Sequence, residues 1–350
     1  MQLVHGGDWA GYEAEYGRSA LDFSANVSPL GVPQGVQRAI AAAAVRSDRY
    51  PDPLCRELCA ALAQRENLSP DWILCGNGAA DLIWRLAAAR RPRRALLPAP
   101  AFAEYAAALQ SVGCRIDRYQ LSEKENFTLD PAFLQAITPE TEMVFLCEPN
   151  NPPGRTTSMP LLLRILDRCC AVGAVLVVDE CFGDFLDDPA AHTLVPQLAR
   201  HPRLVILKAF TKLYAMAGVR LGYALCSDPA LVEQLREAGS PWSVSSLAQA
   251  AGLAALQENA YVQRVRALVQ TQRPLLEEGL RALGLRVIPG QANYLLFRCT
   301  RLLVVPLKER GILLRSCGNY PGLDDSWYRT AVRTEPENRR LLAALREILS

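Results

Sequence analysis

Short apolar runs alternate along most of the chain with stretches whose apolar residues recur every three or four positions. The runs at 72–74, 95–97, 114–121, 142–147, 174–178, 204–207 and 221–225 predict strands. The stretches at 36–45, 53–66, 79–90, 102–113 and 160–171 predict helices. Strands that take turns with helices argue for an α/β fold, with a mostly parallel sheet covered on both faces. Residues 1–35 are rich in Gly, Pro, Asn and Tyr, lack helical periodicity and read as an irregular arm. Beyond Trp242 the pattern changes. Residues 247–283 read as mostly helical, with a kink or break at Pro274. Strands follow at 286–288, 294–298, 312–315 and 328–333, then a closing helix over 336–349, which is an α+β pattern. The expected organisation is an arm (1–35) joining the small domain, a large domain (36–245) and a small C-terminal domain with its linking helix (246–350).

Composition narrows the class. The chain has 350 residues, half of them hydrophobic and 21% charged, which excludes a disordered chain, a coiled coil or a small stapled scaffold. Lys and Arg number 38 against 36 Asp and Glu, so a net charge of +2 offers no electrostatic footprint for nucleic acid. Eleven cysteines cannot all pair within the chain. Cys55 and Cys59 are four apart, Cys169 and Cys170 are adjacent, no Cys-x-x-Cys occurs, and three histidines are present; no metal is expected. Cys147, inside an apolar run, reads as a small core hydrophobe in a reducing compartment. No basic segment precedes an apolar stretch at the N-terminus, and no apolar run approaches the ~20 residues of a membrane helix. The expectation is a cytoplasmic protein without a membrane or nucleic-acid partner.

In open α/β sheets ligands sit beyond the carboxyl ends of the strands. Four such ends carry chemistry. Gly76-Asn77-Gly78-Ala79 lets backbone approach an anion ahead of a helix N-terminus; a simple turn is the competing reading. Glu148-Pro149-Asn150-Asn151-Pro152-Pro153-Gly154 offers two amides, or a Pro/Asn/Gly turn. Asp179-Glu180 follows a buried run, where an acid needs a partner such as a protonated heterocyclic nitrogen, or serves as a cap. Lys212 follows the 204–207 strand among apolar neighbours, where desolvation frees the amine for Schiff-base chemistry; a solvated, snorkelling lysine is the alternative.

Taken together, Gly-Asn-Gly, Asn-Pro-x-Gly, Asp-Glu and Thr211-Lys212 with Arg220 eight residues on resemble the fold-type I pyridoxal-phosphate enzymes, the aspartate aminotransferase superfamily, over nearly the whole chain. Within it the sequence resembles the threonine-phosphate decarboxylase group, relatives of the histidinol-phosphate aminotransferases. That resemblance runs through His5-Gly6-Gly7, Asp22-Phe23-Ser24-Ala25-Asn26, Arg49-Tyr50-Pro51-Asp52, Phe102-Ala103-Glu104-Tyr105, Pro241-Trp242, Asn293-Tyr294 and Leu314-Arg315-Ser316-Cys317 with Asn319-Tyr320-Pro321-Gly322. It implies pyridoxal 5'-phosphate as cofactor, Lys212 as its Schiff-base lysine and Asp179 as the carboxylate that keeps the ring nitrogen protonated. It implies Asn151 at the 3′-oxygen, Phe102 stacked on the ring, and Gly78, Ala79, Thr211 and Arg220 around the phosphate. It implies that Tyr50 reaches a neighbouring subunit's cofactor, hence a homodimer. Phe182 stands where aminotransferases usually place a tyrosine, Ala209 where a serine often helps hold the phosphate, and Pro153 where a threonine is usual.

The implied substrate carries a carboxylate and a phosphate. Arg315, Arg329, Arg333 and His5 are the candidate contacts, with Arg329, Ala331 and Arg333 on one face of the predicted 328–333 strand. The implied reaction is decarboxylation of L-threonine O-3-phosphate to (R)-1-amino-2-propanol O-2-phosphate in cobalamin biosynthesis. A histidinol-phosphate-type aminotransferase and a non-catalytic regulator of the same fold are the alternatives. Intact Lys212 and Asp179 and a near-zero charge speak against the regulator.

Overall fold

Side chains of the central strands alternate between two apolar layers. From Met143–Cys147, Met143, Phe145 and Cys147 enter one layer and Val144 and Leu146 the other. Val175–Asp179 divides likewise, Val175 and Val177 against Leu176 and Val178. Period two with both faces buried requires helices on both sides. Gly78–Arg90, Ala103–Ser111 and Pro229–Glu237 cover one face; Arg56–Glu66, Met159–Val172 and Ser246–Ala255 cover the other. Each large apolar side chain so buried stabilises the fold by roughly 1.5–3 kcal/mol. The structure is a computed structural model that describes residues 5–350; residues 1–4 of the predicted arm lie outside the described residues.

The large sheet has seven strands in the order Ile73–Gly76, Gly222–Leu225, Leu204–Ala209, Val175–Asp179, Met143–Cys147, Arg94–Ala99, Arg115–Gln120. All run parallel except Gly222–Leu225, which is antiparallel to both neighbours. A second, antiparallel sheet has the order Arg315–Ser316, Trp327–Ala331, Tyr294–Arg298, Arg286–Ile288. Its apolar face packs on Asn259–Ala282 and Glu335–Leu349, the latter opened by a capping box of Thr334 and Glu337. All eleven cysteines are unbridged and most are buried.

Four expectations need correction. The arm is not wholly irregular: it holds the helix Trp9–Tyr16, with Asp8 accepting from the Gly11 amide and Gly17 ending it at φ 63°. Only Tyr12 of that helix is buried, so no apolar stripe marks it in the sequence. The arm then adds Leu21–Asp22 as a strand parallel to Ile312–Leu313. The long helix is interrupted not at Pro274, which lies inside Asn259–Ala282, but at 256–258, where tight turns replace the helical bonds. Residues 312–315 are not one strand: Ile312–Leu313 pairs with the arm and Arg315–Ser316 with Trp327–Ala331. The last strand ends at Ala331, because the chain beyond it turns into the Thr334 cap.

Candidate active site

Strand direction decides where the chemistry gathers. Five parallel strands deliver Ala79, Phe102, Asn151, Asp179 and Lys212 from their carboxyl ends to one cavity of about 410 Å³. Gly222–Leu225 runs the opposite way, so its start, with Arg220 just ahead of it, lies at the same end. Gly222 sits in register with Gly76 on one side and Ala209 on the other.

Lys212 projects into this cavity, and its amine lies 5.8 Å from the centre of the Phe182 ring. Enclosure by protein, with the positive charges of Arg329 and Arg220 nearby, pulls its pKa down from 10.5 to about 8, against the opposing pull of Cys181 and Asp179. Asp179 is buried and met by two neutral donors, the Tyr105 hydroxyl at 2.6 Å and the Cys181 amide at 3.0 Å. A buried carboxylate so placed is costly until a cation meets it.

Gly78 opens its helix with φ +79°, and a Cβ there would fall 2.8 Å from Arg220 Nη2. The first amides of Gly78–Arg90 have no helical partners, and with Arg220 and buried Thr211 they form an anion cradle. Ala209 lines the same cavity without a hydroxyl, so the cradle lacks one donor there. Asn151 Oδ1 accepts from Arg329 Nη1 at 2.6 Å, and Arg329 Nη2 donates to the Ser24 carbonyl at 2.8 Å. Arg329 and Arg315 stand opposite each other in the antiparallel ladder, are both buried, and both line the cavity. Arg315 donates to Asn319 and lies over the Tyr320 ring. His5 also lines the cavity.

Three anticipated residues are not in the lining: Gly78, which stands behind Arg220; Tyr50, which was expected at a neighbouring subunit's site; and Arg333. Arg333 is not in the cavity lining; it donates to the Asp22 carbonyl at 3.0 Å and to Glu337 at 2.8 Å, because the strand that was to aim it ends at Ala331. Tyr50 is 81% exposed, outside the cavity, and stacks on Trp242 at 4.7 Å. Sequence reasoning gave no role to Tyr105, which holds Asp179, nor to Asn26. Asn26 lines the cavity with both polar side-chain atoms buried and unpartnered among the described residues. The signal for Asn26 was a polar side chain in a segment, Ser24-Ala25-Asn26, that belongs to no helix or strand.

Residues 18–345 match the family of class I and II aminotransferases. The chain belongs to that family. It is 44% identical to a threonine-phosphate decarboxylase of Salmonella typhimurium, over 94% of this chain and 91% of the relative. It is 34% identical to a histidinol-phosphate aminotransferase of Cupriavidus pinatubonensis, over 94% of this chain and 88% of the relative. The crystal structure of the histidinol-phosphate aminotransferase from Clostridium acetobutylicum superposes with a TM-score of 0.88 at 27% identity, covering 94% of this chain and 99% of that one.

For a member of this family the lining is coherent, and it fits pyridoxal phosphate. Asp179 has the buried negative charge a protonated ring nitrogen needs, Lys212 a lowered amine, and the Gly78–Arg220 cradle a place for phosphate. Among the described residues no group of three or more His, Cys, Asp or Glu is arranged to hold a metal, and no helix is long and apolar enough to cross a membrane.

Proposed function

We propose that this chain is a pyridoxal-phosphate-dependent carboxy-lyase that converts L-threonine O-3-phosphate to (R)-1-amino-2-propanol O-2-phosphate and CO₂. The observation that carries the reading is the pair of buried arginines, Arg315 and Arg329, facing one cavity with Lys212 and Asp179. A short substrate with two anions needs cations at two places, and guanidinium meets both carboxylate and phosphate in bidentate fashion. The 44% identity to a threonine-phosphate decarboxylase, against 34% to a histidinol-phosphate aminotransferase, supports the same choice. The pathway served is cobalamin biosynthesis, and the active unit is a cytoplasmic homodimer in which Tyr50 reaches the partner's site.

When bound, pyridoxal phosphate supplies an electron-withdrawing ring that accepts the pair left by a broken bond at the substrate's α-carbon. The chain does the rest. Lys212 anchors the cofactor through its amine. Asp179, held by Tyr105 and the Cys181 amide, would keep a proton on the ring nitrogen. Gly78, Ala79, Thr211 and Arg220 would hold the cofactor phosphate, Asn151 its 3′-oxygen and Phe102 its ring. Arg329, fixed by Asn151 and Ser24, takes the substrate carboxylate; Arg315 and His5 take its phosphate. These anion contacts would hold the substrate's α-carbon in one orientation, the choice on which the reaction depends.

The test is purified protein with phosphothreonine and pyridoxal phosphate but no 2-oxo acid. The phosphorylated amino alcohol, identified by mass, is the expected product. No such product, together with ready transfer of the amino group of histidinol phosphate to 2-oxoglutarate, would establish an aminotransferase instead.

A further inference from the structure

Most charged side chains of the cavity wall are cations, yet two carboxylates stand there, Asp179 and Glu104. Asp179 answers the cofactor ring. Glu104 has no part in that chemistry, and an acid beside a site for two anions is repulsive unless its charge is spoken for.

Its two oxygens are taken separately. Oε1 lies 2.6 Å from His5 Nε2, and Oε2 accepts from the Trp84 indole at 2.9 Å. Glu104 stands in the first turn of Ala103–Ser111 and Trp84 belongs to Gly78–Arg90, so two helices of the large domain fix one carboxylate. His5 comes from the arm, and its ring lies 5.7 Å from that of Phe102. The same arm segment is pinned at Ser24. The Gly7 amide donates to Ser24 Oγ at 2.8 Å, and a Cβ on Gly6 would fall 2.4 Å from the Ser24 carbonyl oxygen. That carbonyl is the one Arg329 grips. Residues 5–7 are thus stretched between Glu104 and the carboxylate-binding arginine, along the edge of the cavity.

We infer that Glu104 is a positioning residue that holds His5 by Nε2, leaves Nδ1 to the substrate's phosphate, and so fixes the phosphate end of the site. The inference rests on the reading of His5 as a phosphate contact. Carboxylate and phosphate both accept, so a histidine set between them would donate from both nitrogens, and Glu104, engaged by His5 and Trp84, would balance that ring rather than repel the substrate. Trp84 steadies the carboxylate from the far side.

The experiment is steady-state CO₂ release from phosphothreonine by holoenzyme, for wild type, Glu104→Gln, His5→Ala and the double variant. Glu104→Gln is expected to raise KM about five- to tenfold with kcat and cofactor absorbance little changed, the size of one weakened charge-assisted contact. The double variant is expected to be no worse than His5→Ala, because Glu104 acts through His5. Losses that add, an unchanged KM in Glu104→Gln, or a fall in kcat at constant KM would overturn the inference. Should Glu104→Gln not retain cofactor, Trp84→Phe decides. A KM rise of about threefold that vanishes in the His5→Ala background supports the inference, and no rise overturns it. Failure of wild type to release CO₂ is a different result: it removes the decarboxylase reading, and this inference with it.

Discussion

Lys212 is the residue on which most depends, and its environment sets a measurable pH. Burial beside Arg329 and Arg220 lowers its pKa to about 8, so the amine is neutral above that pH and protonated below it. Capture of added pyridoxal phosphate by cofactor-free protein should accelerate as pH rises through about 8 and level off above. Acceleration continuing toward the ordinary lysine range, seen by stopped-flow absorbance, would contradict this. Lys212→Ala should show no borohydride-reducible bond to the cofactor. Asp179→Asn should keep the cofactor but lower turnover by roughly a hundredfold or more, since an amide cannot hold the ring proton. A near wild-type rate would make Asp179 a cap only. Glu148 carries a different consequence. Burial raises its carboxyl from 4.5 to about 7, despite two donations from Thr157. The folded state therefore binds this proton more tightly than the unfolded chain. Stability from this group is fully present below about pH 4.5 and is lost as pH rises to about 7, on the order of 3 kcal/mol. Urea midpoints across that interval should fall for wild type and fall less for Glu148→Gln.

Among the elements, the ones that carry the site were the most legible. The apolar runs 143–147 and 174–178 form strands buried on both faces, and that burial is what makes a following Asn or Asp conspicuous. The sheet could be read because a strand buried on both faces leaves a continuous, local apolar run. The arm could not: Trp9–Tyr16 buries one residue, and Leu21–Asp22 is a strand only because Ile312–Leu313, nearly three hundred residues on, offers its edge. Contacts at such separation leave no periodic trace. Arg333 shows the same limit. Strand alternation put it beside Arg329, but Thr334 and Glu337 begin a helix there and draw Arg333 to Glu337 and to the arm's Asp22 carbonyl. Arg333→Met should accordingly lower stability by about 1–3 kcal/mol through a loosened arm, with KM for phosphothreonine nearly unchanged. A large rise in KM with unaltered melting would place Arg333 in the substrate site after all.

At the scale of the molecule, one cavity gathers residues from the arm, the large sheet and the antiparallel sheet, and Tyr50 with Trp242 offers an exposed aromatic pair away from it. In the proposed dimer, mixing Lys212→Ala with Tyr50→Ala chains should restore activity, since a hybrid has one site with both lesions and one intact. A fully active monomer by light scattering would refute the sharing. The most direct measurement of the whole reading is release of label from carboxyl-labelled phosphothreonine by wild-type holoenzyme without any 2-oxo acid. One labelled CO₂ per substrate consumed is the expected result. Substrate left intact, or consumed only when a 2-oxo acid is supplied and with its carboxylate retained, would contradict it.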